Sequence, residues 1–108
     1  MVEPAHDEKG TYTFPGTTRL AGPHKVTVDN TATGKALATL LGAALDAELK
    51  LLTLIPASAG VYWAAGSASA ASPWLPTGGV ELHVTADDAA ALKFYSATNI
   101  EMVVVQEG

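Results

Sequence analysis

The sequence predicts an all-β fold: a small antiparallel β-sandwich or jelly-roll-like barrel carrying one short helix near residues 35–45. Two alternating segments carry this reading. In Val80-Glu81-Leu82-His83-Val84-Thr85 the apolar and polar residues take turns, and from Leu92 to Gln106 the same rule sets Leu92, Phe94 and Ser96, then Ile100, Met102 and Val104, apart from their neighbours. Successive side chains of a strand point to opposite faces, so period two means one face on a core and the other on solvent or a partner. The third observation is spacing: several short strand-like runs separated by Gly, Pro, Asn and Ser clusters indicate a sandwich or barrel.

Residues 1–24 contain Pro4, Gly10, Pro15, Gly16, Gly22 and Pro23, too many breakers for a long regular element, and are expected to form an N-terminal arm to a single domain spanning 25–108. Within the arm Thr11-Tyr12-Thr13-Phe14 alternates and suits a short strand with Tyr12 and Phe14 on one side. These two aromatics either clasp their own sandwich or anchor the arm on a neighbouring subunit.

Lys25 to Asp29 reads as a strand with Val26 and Val28 inward, followed by a turn over Asn30 to Gly34. Leu37, Leu40, Leu41, Ala44 and Leu45 then fit one face of a helix, with Thr31 or Thr33 as its N-cap and Gly42 as an internal cost of about 1 kcal/mol. Such a leucine stripe is core rather than ligand site, placed to close one end of the sandwich. Glu48 to Ile55 is partly apolar on both faces, which suits a central strand or one lying under the helix, and Pro56 ends it by withholding an amide. Val61-Tyr62-Trp63-Ala64 has strong β propensity. The run from Gly66 to Ser72 lacks large side chains and reads as a flexible or closely packed loop. Pro73 and Pro76 hold Trp74 and Leu75 extended, Thr77-Gly78-Gly79 turns the chain, and Ala86 to Ala89 forms a turn or a single helical turn. Asn99 is placed to supply positive φ for a hairpin joining the last two strands.

At 108 residues the chain is one domain, with 48% apolar residues and a mean hydropathy of +0.22. Part of that excess is alanine, but the rest implies apolar surface covered by association, so a homo-oligomer is expected. A net charge of −5 with six Lys and Arg opposes a phosphate-tracking surface, and direct nucleic-acid binding is not expected. There is no cysteine, hence no disulfide and no thiolate metal site. No apolar run approaches the roughly 20 residues that span a bilayer, and the polar start lacks the apolar centre of a secretory signal; synthesis in the cytoplasm and no membrane contact are expected.

No catalytic, metal or cofactor site is expected. His6, His24 and His83 stand far apart, and a zinc site needs three or more convergent ligands. Asp87-Asp88 is best explained by backbone hydrogen bonding in a turn, since carboxylates that work as an acid–base pair must flank a substrate cleft. No nucleophile elbow or phosphate loop is present. The candidate interface residues are Tyr12, Phe14, Trp63, Trp74 and His83, the last facing outward on its strand. Trp63, Trp74 and Tyr62 admit two uses, packing in a core or interface, or stacking on sugar rings as in a carbohydrate-binding module.

From about residue 60 to 108, the order Val61-Tyr62-Trp63, a small-residue loop, Leu75-Pro76-Thr77-Gly78-Gly79-Val80-Glu81-Leu82, Leu92-Lys93-Phe94-Tyr95-Ser96-Ala97 and a closing valine-rich strand resembles small β-sandwich virion proteins of tailed bacteriophages. The resemblance implies a non-enzymatic structural role, a capsid decoration or cement subunit that contacts copies of itself and the major capsid or other virion proteins, or a neck or tail accessory protein. It supplies no catalytic residues.

Overall fold

A computed structural model describes residues 18–108, and the arm aromatics Tyr12 and Phe14 lie outside them. Seven strands and two short helices follow in the order β1 (Arg19–Val28), β2 (Lys35–Ala36), α1 (Leu37–Leu41), β3 (Leu51–Pro56), β4 (Tyr62–Ala65), β5 (Val80–His83), α2 (Ala86–Ala90), β6 (Leu92–Tyr95) and β7 (Ile100–Glu107). They form two antiparallel sheets, β1-β7-β3-β5 and β2-β6-β4. The all-β sandwich expected from alternation is the observed architecture.

The alternation sets the core directly. Val26 and Val28 of β1, Met102 and Val104 of β7, and Leu52 and Leu54 of β3 are buried from the larger sheet, and Leu92 and Phe94 of β6 from the smaller one. Leu37, Val61, Leu75 and Ile100 complete the cluster, with Trp63, Val80, Leu82 and Val84 packed partly against it. β3 lies between β7 and β5, so of the two positions its partly apolar faces suit it takes the central one.

Four local expectations are revised. β1 starts at Arg19 rather than Lys25: Thr18 exchanges backbone hydrogen bonds with Gly108 (2.7 and 2.9 Å), and register shifts between Arg19 and His24 let the breaker-rich stretch pair with β7. The helix near 35–45 is only Leu37–Leu41. Gly42, at φ 72°, caps it in the left-handed conformation, and Ala43 donates back to the Ala38 carbonyl, so the glycine ends the helix instead of weakening its middle. Its N-cap is Ala36, without a side-chain bond, while Thr31 is engaged with Asp29. Finally, β6 and β7 are no hairpin. β6 already has β2 and β4 on its two sides, so the chain crosses to the other layer and β7 pairs with β1 and β3; Asn99 keeps negative φ, and the crossing is fixed by Ser96 donating to the Asp29 carbonyl at 3.1 Å.

Ala86–Ala90 is a second short helix whose N-cap Thr85 accepts the Asp88 amide at 3.3 Å, so the Asp87-Asp88 pair occupies a helix start, as acidic residues favour. The small-residue loop is closely packed at Ala68, which is fully buried and donates to the Thr33 carbonyl at 2.9 Å.

Candidate functional site

The outward face of the smaller sheet carries the most distinctive surface. Trp63 and Phe94 are opposite one another and turn to the core, so alternation turns Tyr62 and Tyr95, the next pair in the register, away from it. Their rings lie 6.4 Å apart between centroids, tilted by 43°, within the range of favourable aromatic pairs.

The segment between the two prolines extends this row. Trp74 bridges Tyr62, flanked by Trp63 N–H donating to the Pro73 carbonyl (2.9 Å) and Leu75 N–H donating to the Val61 carbonyl (2.8 Å). That bonding pattern makes Tyr62 and Trp74 a non-hydrogen-bonded antiparallel pair, the kind in which facing side chains approach most closely. Leu75, the next residue, is buried with 1% exposure and nails the segment to the core, while Trp74 keeps 69% of its surface exposed. Trp74, Tyr62 and Tyr95 therefore form one aromatic row across three adjacent chain segments, with Lys93 and Ala64 as the next outward pair. A large indole held out by two backbone bonds and a buried neighbour is a pre-ordered contact, which loses little side-chain entropy when a partner covers it.

The candidate residues thus separate. Trp74 lies in the row, Trp63 sits behind it against the core, and His83 is exposed at the end of β5 in the other sheet, so the three do not share one patch. Tyr95 is the member that sequence reasoning did not single out; its signal was its place out of phase with Leu92 and Phe94.

His83, Lys50, Asp88, Leu49, Val84 and Thr85 line an open hollow of about 250 Å³. It is a shallow depression at the β5–α2 junction. Among the described residues no three His, Asp or Glu side chains gather in a metal-binding group, and no helix is long and apolar enough to cross a membrane.

The clearest electrostatic feature is structural. Asp29, just after β1, accepts from the Thr31 hydroxyl and from Lys35 Nζ (2.9 Å), and these two bonds, the Thr31 one foremost, hold its carboxyl below the ordinary value of 3.8. The arrangement ties the turn into β2. Compared with protein families, characterised proteins and solved structures, the chain matches none of them.

Proposed function

We propose that this protein is a non-enzymatic virion structural subunit, a capsid decoration or cement protein of a tailed bacteriophage that associates with copies of itself and with the capsid shell. The observation that supports it is Trp74, exposed over 69% of its surface yet fixed beside Tyr62 and Tyr95. Aromatic anchors of this kind dominate protein interfaces, and fixing one in solvent is costly for solubility unless a partner covers it. The same residues fall within the stretch that resembles virion proteins. A place at the neck or tail uses the same contact.

The test is particle composition. Tailed-phage particles purified from cultures that produce this protein should contain it in many copies, and shells lacking it should break at lower temperature. Particles free of it would remove the proposal.

A second reading, a carbohydrate-binding module, draws on the same row, because side-by-side aromatic rings on a sheet face can stack on sugars. Retention on a glycan array that is lost in Trp74→Ala would favour it.

A further inference from the structure

We infer that two copies of this chain join edge to edge through β5, Glu81 of each opposite His83 of the other, to make one continuous sheet. The inference rests on the self-association proposed above and names the contact that performs it. Among the described residues the far side of β5 has no strand partner.

The hydrogen-bond parity identifies what that edge offers. Carrying the β3–β7 register one step past Pro56–Met102 sets residue 57 opposite 101, and Ala57 N–H donates to the Glu101 carbonyl at 2.8 Å. Carrying the β3–β5 register one step past Leu51–His83 sets residue 50 opposite 84, and Val84 N–H donates to the Lys50 carbonyl at 3.1 Å; the Lys50 N–H itself donates to the Glu107 carbonyl at 2.8 Å, so of Lys50 only the carbonyl turns to β5, which leaves the Leu51 N–H on the β7 side. The Ala57 and Val84 bonds say that odd-numbered residues of β3 turn their backbone groups to β7 and even-numbered ones to β5. On β5, then, Val80 and Leu82 face β3, and Glu81 and His83 aim their N–H and C=O groups at the open edge.

Those two residues are complementary under a twofold axis. If Leu82 lies on the axis, Glu81 and His83 of one copy become hydrogen-bonded pairs with His83 and Glu81 of the other. Each pair exchanges two backbone bonds, and each sets a carboxylate beside an imidazole on the outward face, where both side chains are exposed. Leu82 meets its own copy in the closer non-hydrogen-bonded pair. No other register centred on β5 joins both bare residues to a complementary side chain, the carboxylate accepting a hydrogen bond that an imidazole N–H can donate.

The remaining edges are guarded. β1 carries Pro23 and two register shifts, β2 is two residues long and runs straight into α1, and β4 is bridged by Trp74. Prolines, bulges and covering segments are the usual devices against edge pairing, and among the described residues β5 has none of them beyond its shortness.

The full chain should be studied by sedimentation velocity over a wide concentration range together with residue-resolved amide exchange. Association should slow exchange of the Glu81 and His83 amides at least tenfold between dilute and concentrated samples. Glu81→Pro removes an N–H that the single copy does not use, so it should melt near the parent and weaken association at least tenfold. Glu81→Lys should weaken it also, and the exchanged pair Glu81→His with His83→Glu should restore it.

If copies associate but natively melting Glu81→Pro leaves the constant unchanged, the β5 contact is wrong while self-association stands. A monomer at every concentration overturns both. Should Glu81→Pro fail to fold, exchange in the unaltered chain decides: amides equally fast, or equally protected, at all concentrations overturn the inference.

Discussion

Replacing Trp74 with alanine should leave the fold nearly intact, because this residue is held outside the core. With 69% of it exposed, roughly three-tenths of the residue is covered. A fully buried aromatic of this class hides about 150–250 Å², so the covered part is about 50–80 Å². At about 25 cal/mol/Å² that gives an upper value of about 1–2 kcal/mol, and alanine keeps some of it, leaving a cost of about 1 kcal/mol. For a domain of this size the corresponding fall in Tm is about 4–8 °C. The assay is thermal unfolding by circular dichroism, paired with acrylamide quenching of the remaining indole. Trp63 is packed partly against the core, so Trp74→Ala should emit at shorter wavelength and resist the quencher, and Trp63→Phe should leave a red-shifted, readily quenched Trp74. A fall in Tm beyond about 20 °C for Trp74→Ala, or protected emission from Trp74, would instead assign the indole to the core.

Phe94→Ala supplies the opposite case: at 1% exposure within the core cluster it should cost about 3–5 kcal/mol, comparable to the whole stability of many small domains, and denaturant titration should find it largely unfolded or shifted by several kcal/mol. Gly79→Ala should destabilise by about 1–3 kcal/mol in the same titration, since φ is +90° there and an added Cβ would stand 2.9 Å from Ile55 Cγ1 and 3.2 Å from the Leu54 carbonyl. Asp29 has a lowered pKa, so its ionised form stabilises the fold above the ordinary value of 3.8, and that contribution fades as pH falls through the lowered folded value. Unfolding of the parent and of Asp29→Asn should therefore differ at pH 6 and converge toward pH 2.

Much of the sandwich was legible because its signal is local. Ile100, Met102 and Val104 alternate with Glu101, Val103 and Val105, and the burial of the first three follows from strand geometry alone. The outward placement of His83 follows in the same way. Pairing is a different matter, since it joins residues far apart in the chain. The short link from Tyr95 to Ile100 looked like a hairpin, and only the presence of β2 and β4 beside β6 sends β7 to the other sheet.

Gly42 shows the limit of helical periodicity: the leucine spacing continues to Leu45, yet a glycine able to adopt positive φ offered a hydrogen-bonded stop that ended the helix first. At the aromatic row, adjacent Tyr62 and Trp63 are both large and favourable in strands, so composition could not say which faces out. The answer came from Trp63 sharing the inward position with Phe94, a register fact. The bridge from Trp74 to Tyr62 is likewise nonlocal, which is why Tyr95 at the far end of the row was not assembled with them from sequence.

The proposal that the Trp74–Tyr62–Tyr95 row binds a phage capsid shell is checked by titrating the purified protein onto shells stripped of it and measuring the bound fraction after pelleting. Saturable binding by the parent chain and at least a tenfold weaker Kd for Trp74→Ala at unchanged fold are the expected result. Equal binding of the two proteins would contradict it.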